Sequence, residues 1–241
     1  MVSFIIPAHN EELLLGRTLA SVKAAACEMD EPFEIIVVDD ASTDATAAIA
    51  RDHGARLVQV NYRQIAATRN AGAREARGEW FFFIDADTIM TAAALRASLR
   101  ALRRGAVGGG CVFLFDGRLP LYAKIIHNIA SPLAHHLKFV SGCCLFCTRA
   151  AFKAVSGFPE NYFAAEELVF VASLKRQGRF VVPRERVITS GRKVRTHSLP
   201  EALAIMLRVL LRGPSRFRSR EGLDLWYGPR RRDPDENGLD E

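Results

Sequence analysis

Short apolar runs alternate with stretches of helical periodicity through about the first hundred residues. The runs are rich in β-branched and aromatic residues, which predicts strands at Val2–Ile6, Glu34–Val38, Arg56–Val60 and Trp80–Ile84. Apolar positions three and four residues apart predict a helix after each strand, at Glu11–Ala26, from a Ser42 or Thr43 cap to about Asp52, at Gln64–Ala76 and at Thr91–Arg103. This alternation indicates an α/β fold with a mostly parallel central sheet and helices on both faces.

The pattern loosens after Gly105. A strand interrupted by three glycines is predicted at Val107–Phe115, and an apolar, irregular stretch follows at Leu119–Leu137. The remaining elements are an extended segment at Phe139–Cys147, helices at Arg149–Val155 and Ala165–Arg176, and a short strand at Phe180–Val182. We therefore divide the chain into a domain over 1–198, with halves 1–104 and 105–198, a basic amphipathic helix and arm over 199–220, and a polar, poorly ordered tail over 221–241.

Charge is distributed unevenly along the chain. The 241 residues are 49% hydrophobic and 25% charged, which is a globular composition, and the formal net charge is +6. The last 21 residues carry seven acidic and three basic side chains, a net charge of −4, which leaves +10 on residues 1–220. A positive body suits an anionic ligand, an anionic membrane surface or nucleic acid. Since nothing but charge supports nucleic acid, we do not predict that partner.

Cysteine usage and hydropathy predict a cytoplasmic protein. The five cysteines are too few and too irregularly spaced for a disulfide framework, and the lone C-x-x-C of Cys144 and Cys147 has no second ligand pair for zinc. The apolar start ends at Pro7 without a cationic residue, so no signal peptide is predicted, and no run approaches the ~18 apolar residues of a membrane span. The amphipathic helix predicted at Leu199–Leu211, followed by arginines, either packs on the domain or lies on an anionic bilayer at its cytoplasmic face.

The acid pair of Asp85-Ala86-Asp87 directly follows the most apolar of the predicted strands. Two carboxylates two positions apart, on a loop that leaves a buried strand, can converge on one cation. Oxygen-only ligands suit Mg²⁺ or Mn²⁺, and such a metal commonly bridges protein carboxylates to substrate phosphates. The sequence therefore predicts a divalent-metal site at Asp85 and Asp87.

Polar residues also follow the first two strands. In a parallel sheet the carboxyl ends of the strands meet at one edge, where ligands bind. Asp39 and Asp40 end the second strand, and a nucleoside offers the hydroxyl and ring N–H groups that carboxylates accept. Pro7 and Ala8 give a fixed backbone edge that suits a base. Glu11 follows them, and its alternative role is to complement the dipole of the next helix.

Four further residues are candidates for the site. Arg69, on the third predicted helix, can reach a base or phosphate at the strand ends, or lie in solvent. Glu166 or Glu167, in a predicted first helical turn, can act as a general base towards a substrate hydroxyl, or complement the helix dipole. His197, after a basic run at 192–195, can add an imidazole ligand to the metal.

Taken together, these motifs resemble those of the family 2 glycosyltransferases, which have the GT-A fold. The matching segments are PAHNE, VVDDASTD, TRNAG, FFFIDADT, SGCCLFCTRAAFKAVSGFPE and AAEELVF, so the resemblance covers about residues 2–190. It implies a nucleotide-binding half over 1–104, an acceptor half over 105–198 and a nucleoside-diphosphate sugar as donor. It also implies Mg²⁺ or Mn²⁺ as cofactor and a saccharide or lipid-linked hydroxyl as acceptor, with peripheral membrane contact in the lipid-linked case.

The resemblance implies a role for each candidate, position by position. The nucleotide pocket would be formed by Pro7, Ala8 and Glu11, with Asp40 at the base or ribose and Arg69 at the base or phosphate. Asp87 would bind the metal directly, and Asp85 would lie near the metal and the ribose. Glu166 or Glu167 would be the catalytic base, with Glu166 favoured by the usual spacing. The basic stretch Arg192–His197 resembles a C-terminal loop that closes over the diphosphate.

The implied reaction is hexosyl transfer with inversion. A carboxylate removes the acceptor proton as that oxygen attacks the anomeric carbon in one in-line displacement, while a metal and basic groups stabilise the leaving diphosphate. Two alternatives stay open: a sugar nucleotidyltransferase, which the acidic PAHNEE loop disfavours, and a non-catalytic nucleotide-sugar-binding protein. A dinucleotide-dependent oxidoreductase is excluded because residues 7–12 contain no glycine.

Overall fold

Two sheets form the centre of the computed structural model, which describes residues 1–125 and 140–196 together with Glu201, residues 217–219, Leu223 and Asp233. The main sheet contains β1 (Val2–Ala8), β2 (Phe33–Asp40), β3 (Arg56–Val60), β4 (Trp80–Ile84), β6 (Gly108–Gly110), β8 (Cys144–Thr148) and β9 (Phe180–Val181). The smaller sheet contains β5 (Thr88–Ile89), β7 (Val112–Phe115) and β10 (Arg186–Thr189). Their strand orders are β3-β2-β1-β4-β8-β6-β9 and β5-β10-β7.

Helices cover both faces of the main sheet. They are α1 (Leu15–Cys27), α2 (Thr46–Asp52), α3 (Ile65–Glu75), α4 (Ala92–Arg103), α5 (Arg149–Ala154), α6 (Glu166–Gln177) and α7 (Arg192–Thr196). Because side chains alternate along a strand, Phe82 and Ile84 of β4 join the core with α1 and α4, whereas Phe81 and Phe83 join the core with α3, α5 and α6. The predicted α/β architecture is confirmed.

The central strands end together at one edge. β1 pairs in parallel with both β2 and β4, and β2 pairs in parallel with β3. β8 then pairs antiparallel with β4 and β6, so the sheet is mixed beyond β4. The carboxyl ends of β1, β2 and β4 therefore lie side by side at Ala8, Asp40 and Ile84, as the sequence predicts. This edge collects most of the candidate residues.

The loops between β1 and α1 and between β2 and α2 differ from the prediction. α1 begins at Leu15 rather than at Glu11, because the amides of Leu14 and Leu15 close a turn on the Glu11 carbonyl, at 3.1 and 2.9 Å. The predicted caps of α2 are wrong. The hydroxyl of Ser42 accepts from the Asn10 amide at 2.9 Å, and the Thr43 amide donates to Asn10 Oδ1 at 2.8 Å. These residues bind the ends of β1 and β2 together, and α2 begins at Thr46.

The three glycines form strand β6 and do not interrupt a strand, so that prediction is wrong. A Cβ on Gly109 would collide with the Val181 carbonyl and the Phe146 ring, and only glycine lets β8 and β9 approach there. A Cβ on Gly72 would collide with Ile5 of β1, which explains the glycine of TRNAG: α3 packs directly on the sheet. The pattern does not predict strands β5 and β10, which have two and four residues.

Several predictions fall outside the described residues. They concern residues 126–137 of the apolar irregular stretch, Phe139, His197, the helix at Leu199–Leu211 apart from Glu201, and most of the tail. The division of the chain into domain, arm and tail stays a prediction. Within the described part of the chain, no helix combines the length and the apolar character that a bilayer span requires.

Candidate functional site

The D-A-D turn, residues 85–87, is held from three sides. Thr18 on α1 donates its hydroxyl to the carbonyl of the middle residue at 2.9 Å. The amide of the first residue donates to the Cys143 carbonyl at 3.0 Å, and the Ser190 amide donates to the carbonyl of the last residue at 3.1 Å. The backbone bonds leave both carboxylates at the carboxyl edge of the sheet, where the sequence predicts a cation site.

Arg69 connects the D-A-D turn to the start of α6. Its Nη2 donates to Asp85 Oδ1 at 2.8 Å, and its Nη1 donates to Glu166 Oε1 at 2.7 Å. The side chains of Arg69 and Glu166 are only 3% and 4% exposed. Nη2 also donates to the Gly142 carbonyl at 3.1 Å, and the guanidinium lies over the Phe158 ring. The buried Arg69 guanidinium therefore joins Asp85 to Glu166, which lie 81 positions apart in the sequence.

The neighbouring Asn70 fastens the same helix to the segment that precedes α6. Its Nδ2 donates to the Phe158 carbonyl at 2.8 Å and to Glu160 Oε1 at 2.9 Å, while its Oδ1 accepts from the Phe158 amide at 2.9 Å. The sequence analysis did not assign Asn70 a role. The sequence signal for this role was the position of Asn70 within TRNAG, together with Glu160, the polar residue at the end of the GFPE segment.

Asp40 is engaged by backbone and hydroxyl donors around the start of α3. Its Oδ1 accepts from the amides of Tyr62 and Arg63 at 2.7 and 2.8 Å. Its Oδ2 accepts from the Gln64 amide at 3.1 Å and from the Thr68 hydroxyl at 2.8 Å. The buried carboxylate thus stabilises the turn that leads into α3.

The other candidates at this edge lie beside Asp40. Asp39 is buried, and its Oδ1 accepts from the Ser42 amide at 3.1 Å. Pro7 and Ala8 are the last two residues of β1 and stand in register with Val38 and Asp39. The structure therefore brings these three residues together, and their contact with a nucleotide stays a prediction.

Left-handed backbone conformations concentrate around this edge. Non-glycine residues rarely adopt a φ near +50°, and they do so where the surrounding structure enforces it, often at functional sites. Four such residues border the edge: Asn10 (φ 51°), Ala41 (φ 55°), Arg63 (φ 51°) and Ala165 (φ 57°). Three follow or precede predicted site residues directly, which supports a functional interpretation of these loops.

Negative charge accumulates around Asp87. The pKa of Asp87 is raised to about 7, mainly by burial and also by the carboxylates of Glu11 and Asp85, against the lowering effect of Lys193 and Arg192. Arg192 donates from Nη2 to Glu11 at 3.3 Å. Three acids and two bases thus lie near one another around the half-buried Asp87, and this mixture of charges suits a cation and a diphosphate.

Two of these carboxylates fit a divalent cation. Asp85 and Asp87 supply the oxygen ligands that Mg²⁺ and Mn²⁺ prefer, and Mg²⁺ usually takes one or two carboxylates plus substrate phosphates. No group of three or more Asp, Glu, His or Cys side chains among the described residues is arranged to hold a metal. The donor set therefore fits a metal that is completed by the substrate. The prediction of His197 as a further ligand concerns a residue outside the described part.

Glu166 and Glu167 begin α6 after the left-handed Ala165. Burial raises the pKa of Glu166 to about 7, with a contribution from the Glu167 charge. Burial also raises the pKa of Glu167, although the Arg69 charge lowers it. The two carboxylates differ in their contacts: Glu166 is ion-paired with Arg69, whereas the half-buried Glu167 side chain accepts from its own backbone amide and forms no ion pair among the described residues.

The raised pKa of Glu166 predicts that the protein loses stability as the pH rises. The folded state holds the proton more tightly than an unfolded chain with the ordinary value of 4.5. That stabilisation is full below pH 4.5 and is lost as the pH passes about 7. We expect the free energy of unfolding in urea, with a chelator present, to fall between about pH 5 and about pH 8.

The Glu167 charge is one cause of the shift, so Glu167→Gln should make this fall smaller. The exposed Glu79 provides the control, since Glu79→Gln should leave the fall unchanged. An equal fall in wild type and Glu167→Gln would contradict the coupling between the two acids.

Removal of the Arg69 charge should destabilise the fold strongly. Arg69→Met leaves Asp85 and Glu166 without their cation, and breaking a buried ion pair costs about 3–5 kcal/mol. Arg74 lies exposed on the same helix, and Arg74→Met is the matched control with an expected cost of about 0.5 kcal/mol or less. The measurement is the free energy of unfolding in urea. A loss for Arg69→Met no larger than for Arg74→Met would show that this pair does not stabilise the fold.

Three comparisons place these features among known proteins. The family model described as glycosyl transferase family 2 matches residues 3–155. The chain is 33% identical over 130 residues to the validoxylamine A glucosyltransferase of Streptomyces hygroscopicus subsp. limoneus, a match that covers 50% of this chain and 28% of the relative. It is 38% identical over 95 residues to the undecaprenyl-phosphate 4-deoxy-4-formamido-L-arabinose transferase of Aeromonas hydrophila, over 36% of this chain and 29% of the relative. The chain thus spans less than a third of these curated relatives.

A similar fold occurs in a mannosyltransferase from Pyrobaculum calidifontis, solved with GDP-Man and Mn²⁺. The TM-score is 0.66 at 22% identity, and the match covers 85% of this chain and 59% of the other. This likeness confirms the predicted GT-A fold.

Proposed function

Because the chain belongs to glycosyl transferase family 2, we propose that it moves a sugar from a nucleoside-diphosphate sugar to an acceptor hydroxyl. The observation that carries this proposal is the double ion pair of Arg69 with Asp85 and Glu166. It joins the turn expected at the donor diphosphate to the helix start expected at the acceptor. The residues proposed for the donor and those proposed for the acceptor therefore both contact the buried Arg69 side chain.

We propose Glu167 as the base that takes the acceptor proton. The sequence favoured Glu166, but the carboxylate of Glu166 is buried and committed to Arg69. Glu167 is half-buried and has no such partner, and its raised pKa makes it a better proton acceptor than an ordinary exposed carboxylate. Because Glu166 is paired with Arg69, Glu167 is the carboxylate proposed to act on the acceptor. One general base is enough for a single displacement, which inverts the anomeric centre.

We propose that α7 and the D-A-D turn hold the diphosphate between them. Asp85 and Asp87 would bind a divalent cation together with substrate oxygens, and that cation, when bound, neutralises charge on the leaving diphosphate. Arg192 and Lys193 supply further positive charge at the same place. The Mn²⁺ bound to the Pyrobaculum enzyme supports a metal of this kind.

We propose that Pro7, Ala8 and Asp39 border the nucleoside and that Asp40 acts indirectly. The Asp40 carboxylate already accepts four hydrogen bonds from residues 62–68. It therefore fixes the wall of the pocket, and the base or ribose contact falls to its neighbours.

A donor panel tests the proposed function. Wild-type protein with Mn²⁺ is incubated with UDP- and GDP-sugars, and release of nucleoside diphosphate and the anomeric configuration of the product are followed by NMR. We expect one nucleotide class to be consumed, with inversion. Consumption of nucleoside triphosphate and sugar phosphate would instead indicate a nucleotidyltransferase, and binding without turnover would indicate a binding protein.

We also propose a lipid-linked acceptor reached by peripheral contact with an anionic membrane. The name of the Aeromonas relative, which contains undecaprenyl phosphate, supports this acceptor class. Leu121 and Ile125 are 74% and 51% exposed, four positions apart on a helical stretch, with the exposed Lys124 beside them. Apolar residues flanked by a base suit the surface of an anionic bilayer.

We expect the protein to float with anionic liposomes at low salt and to lose that binding at high salt. Leu121→Ser combined with Ile125→Ser should reduce the bound fraction, whereas Leu13→Ser, at another exposed apolar position, should not. Wild-type protein that stays at the bottom of the gradient would rule out the membrane contact.

A further inference from the structure

The acidic tail reaches the domain at Asp233. Its Oδ1 accepts from Arg195 Nε at 2.8 Å, and its Oδ2 accepts from Arg195 Nη2 at 2.6 Å. The side chains of Arg195 and Asp233 are 3% and 6% exposed. This bidentate, buried pair is the strong form of an arginine–carboxylate contact. Asp233 lies in the stretch for which the sequence predicts a poorly ordered tail, and its side chain is paired with a buried arginine.

Arg195 is held on its other side by Asp116. Its Nη1 donates to the Asp116 carbonyl at 2.8 Å and to Asp116 Oδ1 at 3.3 Å. The same Oδ1 accepts from the Gly191 amide at 2.7 Å. Asp116 and Asp233 thus fix α7 at both ends, through Gly191 and Arg195. Hydrogen bonds from Arg195 to Asp233 keep the pKa of that guanidinium above its ordinary value in spite of its burial.

These polar contacts help to decide where α7 lies, because the side chain that the helix buries most deeply is the charged Arg195. The same five-residue helix carries Arg192, which contacts Glu11, and Lys193, whose charge acts on Asp87 and Glu167. A shift of α7 would therefore move two cations away from the carboxylates of the candidate site. Among the described residues, the Arg195 contacts and the hydrogen bond from the Tyr122 hydroxyl to the Val194 carbonyl, at 3.3 Å, oppose such a shift at the end of the helix.

A second part of the C-terminal region is docked as well. Phe217 and Leu223 are buried against Tyr162 and Ala164, and the Phe163 amide donates to the Phe217 carbonyl at 2.6 Å. This contact lies just before Glu166 on the chain. The region after α7 therefore contacts the domain at two places, both next to segments that carry site residues.

We propose that Asp233 is a positioning residue that holds the diphosphate-binding cations of α7 in place and so supports the donor site. This inference rests on the proposed function for the identity of the ligand. The contact itself, between Asp233 and Arg195, does not depend on it. The two parts can therefore be tested separately.

The contact is tested by hydrogen exchange on the full chain without nucleotide. Asp233→Asn keeps the shape but removes the charge that pairs with Arg195. We expect the amides of Gly191, Val194 and Arg195, which are hydrogen-bonded in wild type, to exchange about tenfold faster or more in this variant. Unchanged protection of β1 shows that the fold is intact.

Two variants serve as controls for the exchange experiment. Asp233→Glu retains the charge and should restore most of the protection. Asp52→Asn removes the same charge from an exposed position at the end of α2 and should exchange like wild type. Equal exchange at residues 191–195 in Asp233→Asn and in wild type would overturn the contact and the proposal with it.

The positioning role is tested by calorimetric binding of UDP and GDP in the presence of Mn²⁺. We expect Asp233→Asn to weaken the binding of the preferred nucleotide about tenfold and Asp233→Glu to restore most of it. Faster exchange with unchanged nucleotide affinity would overturn the positioning role. A wild-type protein that binds neither nucleotide would contradict the proposed function instead, and the exchange result would still decide whether Asp233 holds α7.

Discussion

Glu167→Gln should lower the rate constant for sugar transfer by about 10²–10⁴-fold, the usual contribution of a positioned general base. Glutamine has nearly the same shape as glutamate but cannot take the acceptor proton. Because the Glu167 side chain forms no ion pair among the described residues, the substitution breaks no salt bridge of the fold, and glutamine can keep the hydrogen bond to the residue's own backbone amide. Donor binding should therefore change little, and the loss should appear in kcat rather than in KM.

Glu166→Gln provides the decisive comparison for Glu167. It removes the buried carboxylate that pairs with Arg69 at 2.7 Å, so its main effect should be on stability. At a temperature where both variants are folded, the rate of Glu166→Gln should exceed that of Glu167→Gln at least tenfold. The reverse order would make Glu166 the base, as the sequence favoured. Retention of most wild-type activity by Glu167→Gln would exclude Glu167 as the base.

The wild-type enzyme should also gain activity as the pH rises above the ordinary pKa range of a glutamate. Burial raises the pKa of Glu167, so the carboxylate form needed to accept a proton becomes populated only above the usual range of a glutamate. This increase should be absent from the residual activity of Glu167→Gln. The measurement is the pH profile of kcat for both proteins, with a chelator-free Mn²⁺ buffer.

The sheet and the position of the site follow from local signals in the sequence. β4 is apolar at every position because both of its faces are covered, and the alternation of Phe81 and Phe83 with Phe82 and Ile84 divides it between two cores. Parallel pairing then places the ends of β1, β2 and β4 at one edge. The acids that break the apolar pattern at Asp40 and Asp85 therefore had to lie close together.

The partners of those acids could not be predicted, because they depend on contacts between distant segments. Adjacent residues of a strand point to opposite faces, so Asp39 and Asp40 meet different neighbours. That Asp40 meets the start of α3 depends on where residues 62–64 lie. Likewise, the choice between Glu166 and Glu167 depends on Arg69, 97 positions earlier in the chain.

Short polar segments gave the weakest predictions for the same reason. β6 consists of three glycines, which carry no strand signal of their own, and it forms because β8 and β9 approach too closely for any side chain. Asp233 stands in a tail of charged and turn-forming residues, and its pairing with the buried Arg195 is a contact between distant segments. Composition describes the average behaviour of such a segment and does not identify which of its residues will pair with a buried partner.

Asp87→Ala should abolish the metal-dependent part of turnover, a loss of about 10²-fold or more, since a metal contributes several kcal/mol to stabilising the leaving charge. Burial, together with the nearby charges of Glu11 and Asp85, raises the pKa of Asp87 to about 7. A bound divalent cation needs the deprotonated form, so Mn²⁺ affinity in the presence of nucleoside diphosphate should rise with pH up to about pH 8.

The change in Mn²⁺ affinity with pH separates a metal site from a merely acidic turn. In Asp87→Ala the pH dependence of Mn²⁺ binding should disappear together with activity, whereas Asp52→Asn, which removes an exposed charge, should keep both. Asp85→Ala is less informative, because it also breaks the contact with Arg69. Undiminished Mn²⁺-dependent activity in Asp87→Ala would show that the cation does not bind at the D-A-D turn. Stabilisation of the diphosphate would then fall to Arg192 and Lys193 of α7, whose positive charges lower the pKa of Asp87.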